Sequence, residues 1–201
     1  MLPPCLLLEC SHRSQVATLS KWIPPSIGLL KLNFDGASKG NPGDAGYGGI
    51  FRDHKGNPLL IFYGSICWDS NNSAELEGLW QGLCLAQIHN YFPIEIEGDS
   101  QILINMVNQL LMGFSSSKVA DSWRLMARLD LIADWLQQHR AISFKHVKRF
   151  GNKVANLLAN KGVTSSQILT VGPLTILNDN NLIQECTNLV HEDNKPPDVG
   201  V

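Results

Sequence analysis

The sequence predicts an α/β fold, a mixed sheet flanked by helices, and three observations carry that prediction. Leu30, Leu32 and Phe34 alternate with Lys31, Asn33 and Asp35, the period of a half-buried strand. Two further strand candidates follow, separated by a polar turn. From residue 71 onward, apolar positions at helical spacing alternate with short strand-like runs.

The elements follow in order. Residues 1–28 show no sustained period and close on "KWIPPSIG", whose paired prolines favour an extended linker. After the strand around Leu30 to Phe34, runs around Tyr47 to Arg52 and Leu59 to Ile66 flank "DHKGN" and read as an antiparallel meander. In "NNSAELEGLWQGLCLAQIHN", Leu76, Leu79, Leu83 and Ala86 recur at helical spacing, and Gly78, Gly82 and Ala86 form a small-residue stripe that lets the helix approach its neighbour closely. Asn72 fits the N-cap of this helix, with Glu75 three residues on as in a capping box. "IEIEGDS" reads as a strand ending in Asp99. Helices carrying Leu103 to Leu111 and Leu125 to Leu136 come next, then a strand in "AISFKHV" and a last helix in "NKVANLLANKG" capped by Asn152 and Gly162. Beyond Gly162 the pattern fades: "VGPLTILNDNNLIQE" is open to docking as a short element, and "HEDNKPPDVGV" reads as a disordered end. The expected organisation is an irregular extension (1–28), one domain (29–162) and an acidic, partly disordered tail (163–201).

Charge places any polyanion on the domain and not on the tail. Residues 29–162 carry 13 Lys and Arg against 12 Asp and Glu, whereas the segment beyond has one lysine against five acids. The five cysteines are scattered, odd in number and without a Cys-x-x-Cys pair, which argues against a disulfide framework and a structural zinc site and for reduced thiols in the cytoplasm or nucleus. The N-terminal "LPPCLLLEC" lacks a basic leader, so no secretory signal is expected. No apolar run is long enough to span a bilayer.

Asp35 and Asp99 each end a predicted strand, and Glu75 opens the helix between them. If the two strands are neighbours, three carboxylates converge and repel one another unless cations lie between them. Such all-oxygen sites suit Mg²⁺ or Mn²⁺, and paired ions stabilise the attacking and leaving oxygens of phosphodiester cleavage. The structural alternative remains open: Glu75 as a cap only, Asp35 and Asp99 as strand-end turn residues only.

"NFDGASKGNPGDAGYGGIFRD", "NNSAELEGL" and "EGDSQ" resemble, in order and spacing, the ribonuclease H family, and are most similar to the plant ribonuclease H-like domains found alone or in reverse-transcriptase-like genes. The resemblance covers roughly residues 21–162. It implies a five-stranded mixed sheet, the first three strands antiparallel, with helices on both faces. It also implies an endonuclease that cleaves the RNA strand of RNA–DNA hybrids with two Mg²⁺ ions, Mn²⁺ being an alternative, held by Asp35, Glu75 and Asp99. The "SKGNPG" loop would lie beside the substrate backbone. Gly36, Ser38, Asn41, Asn71, Asn72, Gln101 and Arg149 are the candidate substrate contacts, with turn and cap chemistry as the other reading of Asn41 and Asn72. Lys145, Lys148, Arg149 and Lys153 form a basic cluster that either tracks phosphates or is an ordinary solvated face. The partner implied is nucleic acid; no membrane contact is expected, and the chain is expected to act as a monomer.

Two departures matter. Family members usually end with an Asn-x-x-Ala-Asp pattern whose aspartate completes the metal site; "NKVAN" places Asn156 there, a carbonyl ligand without charge. The preceding "KRFG" lacks the histidine of type 1 bacterial enzymes, and His146 upstream reads as structural. A catalytically weakened nucleic-acid-binding module derived from a ribonuclease H is therefore the alternative to the active nuclease.

Overall fold

The strand that starts at Leu30 runs on to Gly40, past Asp35 where it is expected to end, and it is buried on both faces, Lys31, Asn33 and Asp35 as well as Leu32 and Phe34, because helices cover both sides. The computed structural model describes residues 21–120, 122–139, 141–174 and 179–195. Strand β1 (Leu30–Gly40) pairs antiparallel with β2 (Gly43–Arg52), and β2 with β3 (Pro58–Asp69). Helix α1 (Asn71–Ile88) then crosses to β4 (Ile94–Gly98), which lies parallel to β1. Helices α2 (Gln101–Leu111), α3 (Ser116–Val119) and α4 (Trp123–Gln138) lead to β5 (Ile142–His146), parallel to β4. A single 3-10 turn (Arg149–Gly151) precedes α5 (Lys153–Val163), and β6 (Thr170–Gly172) and α6 (Asn180–Asn194) complete the described chain. The sheet order is β5-β4-β1-β2-β3-β6.

Two cores follow from the two faces of the sheet. Leu32, Phe34, Phe51 and Phe62 pack with α1, α2 and α4, while Ile50 and Ile61 face α5 and α6. The small-residue stripe of α1 has the predicted consequence: a Cβ on Gly78 would lie 2.7 Å from the Asp35 carbonyl oxygen, and one on Gly82 would lie 2.5 Å from Leu32. Only glycine lets the helix axis come this near to β1.

The structure corrects the expected caps. Helix α1 is capped by Ser70, whose hydroxyl accepts from the Ser73 N–H, and not by Asn72; Ser70 has the extended backbone of a cap and Asn72 is already helical. Helix α5 runs past Gly162 to Val163, with Thr164 as its C-cap. Gly162 is needed instead for contact, since a Cβ there would sit 2.5 Å from the Gly64 carbonyl oxygen. The expected "SKGNPG" loop is mostly strand, because pairing continues to Gly40 opposite Gly43 and leaves only Asn41 and Pro42 at the tip; Gly40 takes φ +114° to allow it.

The largest corrections concern the two ends. A sixth strand joins the sheet where a tail is expected, β6 pairing with β3. Helix α6 buries Leu182, Cys186 and Val190 against α5 and the sheet. On the other side, Trp22 of the expected extension is 3% exposed. Its ring lies 3.6 Å from the Arg52 guanidinium carbon, and its indole N–H donates to Asn33 Oδ1 at 2.8 Å. Arg52, 1% exposed, also donates to Asp193 of α6 at 2.7 Å and to Asn33 at 2.7 Å. The start of the expected extension, with Cys5 and Cys10, and the last residues, 196–201, lie outside the described residues. Among the described residues no helix is long and apolar enough to cross a membrane, and Cys67, Cys84 and Cys186 are free.

These contacts make β6 and α6 part of the stable unit. Asp193→Ala, which strands a buried guanidinium, is expected to lower unfolding free energy by about 3 kcal/mol in urea titrations. Truncation after Val163 is expected to lower the midpoint further, because it also uncovers Ile50, Ile61 and Leu158.

Candidate metal centre

The site is built where β1 and β4 run parallel. Lys31 faces Glu95 and Asn33 faces Glu97 in register. Side-chain alternation therefore carries the same face of β1 to Asp35 and the same side of β4 to Asp99, just past the strand end. Glu75 reaches them from the second turn of α1, brought close by Gly36, where a Cβ would lie 2.0 Å from the Glu75 nitrogen. One carboxylate oxygen from each of Asp35, Glu75 and Asp99 lies within 4.8 Å of the others. Asp35 and Glu75 are buried and Asp99 is half-buried.

The electrostatics show what this cluster lacks. Burial, then the negative charge of Asp99, drives the Asp35 carboxyl far above the usual carboxylate range, against hydrogen bonds from Asn156 and the Gly36 N–H. Burial, with a contribution from Asp99, pushes Glu75 up to about 7, against the Ser100 and Asn71 side chains and the Arg149 charge, which favour the ionised form. Glu75 Oε1 accepts from Asn71 Nδ2 at 2.8 Å, but Oε2 is buried with no partner. Among the described residues, none of the three carboxylates forms an ion pair with a basic side chain. An orphaned carboxylate oxygen in a three-acid cluster is what a hard divalent cation would satisfy, so the residues fit such an ion.

Asn156 of α5 sits beside this cluster and donates its Nδ2 to Asp35 Oδ2 at 3.0 Å. In this arrangement it is a hydrogen-bond donor to a carboxylate. Asn152 holds the same helix onto β1 by donating to the Phe34 carbonyl at 2.9 Å, and makes no side-chain cap bond. Around the acids lies an open polar cavity of about 180 Å³ that gathers Gly36, Ser38, Asn71, Arg149 and Asn156.

Other candidates lie elsewhere. Asn41 Oδ1 accepts from the Asn71 N–H at 3.1 Å and so stands at the rim. Asn72 lines an apolar crevice with Leu76 and Leu103, and Gln101 donates to Asn105 on α2. The basic cluster divides: Lys145 pairs with Glu95, Lys153 with Glu192 at 3.4 Å, and Arg149 reaches the acidic cavity. His146 faces the Asp99 carbonyl oxygen at 3.2 Å. Asn160 was not among the candidates, yet it lines the cavity and donates to the Asn156 carbonyl at 2.8 Å; its place four residues after Asn156, on the same helix face, is the signal that identifies it.

Residues 33–162 match a family described as reverse transcriptase-like. The chain is 34% identical over 146 residues, 73% of its length, to a protein of Arabidopsis thaliana that carries the name ribonuclease H, and it spans 22% of that protein. To ribonuclease HI of Halobacterium salinarum it is 32% identical over 70% of this chain and 67% of that one. The crystal structure of the same archaeon's ribonuclease H1 superposes with a TM-score of 0.59 at 29% identity, covering 68% of this chain and 98% of that chain. LC11 ribonuclease H1, isolated from compost and crystallised in complex with an RNA/DNA hybrid, superposes with a TM-score of 0.58 at 27% identity, covering 67% and 96%.

The raised acids set a pH dependence. A carboxyl whose folded pKa exceeds its unfolded value of about 4 stabilises the fold at low pH, and that contribution is lost as pH rises through the folded pKa. In chelator, Tm is therefore expected to fall between about pH 5 and about pH 8. Asp35→Asn should flatten this slope and raise Tm at the alkaline end, whereas Mg²⁺ should raise it for the parent only. Differential scanning calorimetry with and without chelator reads both effects.

Proposed function

We propose, from the premise that this chain belongs to the reverse transcriptase-like, ribonuclease H family, that it is a divalent-metal-dependent endonuclease cleaving the RNA strand of RNA–DNA hybrids. The observation that carries the reading is the convergence of Asp35, Glu75 and Asp99 within 4.8 Å, with one Glu75 oxygen buried and unpartnered. Asp35, Glu75 and Asp99 would hold Mg²⁺, with Mn²⁺ as a substitute and two ions as the expected number. Bound there, the metal supplies Lewis-acid activation of water and stabilisation of the leaving oxygen.

The chain's own groups do the rest. Asn71 fixes the Glu75 carboxylate by hydrogen bonding to one oxygen, leaving the other free to face the cavity. Asn156 fixes Asp35. Gly36 and Ser38 along the β1 edge, with Asn71 opposite, present polar groups where a sugar-phosphate backbone would lie, and Arg149 brings positive charge to the same cavity. Asn41 orients the start of α1 through the Asn71 N–H. A substrate held by shape and sugar contacts is read without regard to base sequence.

One observation favours the second reading, a module that binds hybrids with weakened cleavage. Asn156 gives Asp35 a hydrogen bond where a fourth carboxylate would add charge to the cage.

Gel assays on a labelled hybrid discriminate the two. Cleavage is expected with Mg²⁺ or Mn²⁺, to be abolished by chelator, and to drop by at least about a hundredfold in Asp35→Asn or Asp99→Asn with the fold retained. Hybrid binding without cleavage in either metal would support the weakened module. Asn156→Asp is expected to bring half-maximal cleavage to a lower Mg²⁺ concentration, and to lose that gain when Asp35→Asn is added.

A further inference from the structure

Between the 3-10 turn, α5 and α6 lies a second cleft, about 540 Å³ in volume and lined mainly by apolar surface. It shares Arg149, Asn156 and Asn160 with the acidic cavity, so the two adjoin across these residues. Its floor is Leu157 of α5 and Leu189 of α6, and Phe150, 49% exposed, stands at its edge. Helix α6 lies outside the residues that match the family, so one wall belongs to this chain's own extension. We propose that this cleft takes an unpaired nucleotide continuous with the strand bound at the metal centre, its base stacking on Phe150.

The chemistry favours such an occupant. The volume falls in the range of small-ligand sites. An aromatic face beside a positively charged rim is the combination that holds single-stranded nucleic acid, since every base offers a π-face and every link a phosphate. Lys153 Nζ lies over the Phe150 ring, 5.4 Å from its centroid, so a base stacking on that face would displace it toward the phosphates, and it is partly offset by Glu192 at 3.4 Å; Arg149 has no ion-pair partner among the described residues. A base paired inside a duplex keeps both faces stacked on its neighbours and has nothing to offer Phe150. An unpaired base does, and the shared residues place it next to the acids. The inference rests on the hybrid-binding reading above and adds to it a preference for hybrids bearing single-stranded RNA.

Fluorescence anisotropy with the full chain tests it, in Ca²⁺ to prevent turnover. The probes are a short blunt RNA–DNA hybrid and the same hybrid with an unpaired RNA extension at one end or the other. An extension at one end is expected to tighten binding about tenfold. Phe150→Ala should remove that gain and leave the Kd for the blunt hybrid unchanged, while Phe150→Trp should keep it. Equal affinity for blunt and extended hybrids, or a gain that persists in Phe150→Ala, overturns the proposal and leaves the hybrid-binding reading standing. Failure of the folded protein to bind the blunt hybrid removes both.

Discussion

Side chains alternate along a strand, so Lys31, Asn33 and Asp35 must share one face of β1, and the parallel register sets Glu95, Glu97 and then Asp99 beside them. Burying such a row is costly unless each charge finds its complement. At one end it does: Lys31 lies 2.7 Å from Glu95 and 2.5 Å from Glu97, and Asn33 donates to the second oxygen of Glu97 at 2.9 Å. Further along, Arg52 bonds Asn33 and Asp193 under the Trp22 ring. At the far end Asp35, Glu75 and Asp99 meet without an ion-pair partner among the described residues. The sheet face is neutralised along most of its length and left uncompensated at one point, and that point is the candidate metal centre.

The helices hold this arrangement from both sides. Close approach of α1, possible because Gly78 and Gly82 have no Cβ, sets Glu75 at the height of Asp35. On the other face, Asn152 and Asn156 bond β1 at successive residues, one to the Phe34 carbonyl and one to the Asp35 carboxylate. Helix α5 is thus anchored at the site itself, and the two cavities that flank it inherit their positions from those bonds.

Much of this was legible in the sequence because it rests on period, although β1 runs five residues past Asp35 and only Asp99 follows a strand end. The alternation before Asp35, the helical spacing after Asn71 and the short run before Asp99 are local signals, and they placed the sheet, the α1 stripe and the three acids. Position within the first turn was not legible: Ser70 and Asn72 are both good caps, and only the backbone turning helical after Ser70 decides between them. Helix α6 was missed because Leu182, Cys186 and Val190 keep a single apolar stripe within an otherwise polar, acidic segment. The role of Trp22 depends on Arg52 and Asn33, distant in sequence, and no local pattern announces such a contact. Asn156 was placed at the site by resemblance, but which of its amide atoms faces Asp35 follows from the network around it.

Trp22 and Asp193 close over the same guanidinium, and Lys21 donates to the carbonyl of Lys195. The polypeptide thus enters and leaves this body at one place, on the face away from the α1 core. Such a body can sit in the middle of a longer chain as a plug-in unit, because the flanking segments need not span it. The same geometry makes it a natural subject for circular permutation: a short peptide could join the two ends, and new termini opened before Lys55, which is exposed, would leave every sheet pairing intact and keep the Gly56 carbonyl on Asn194.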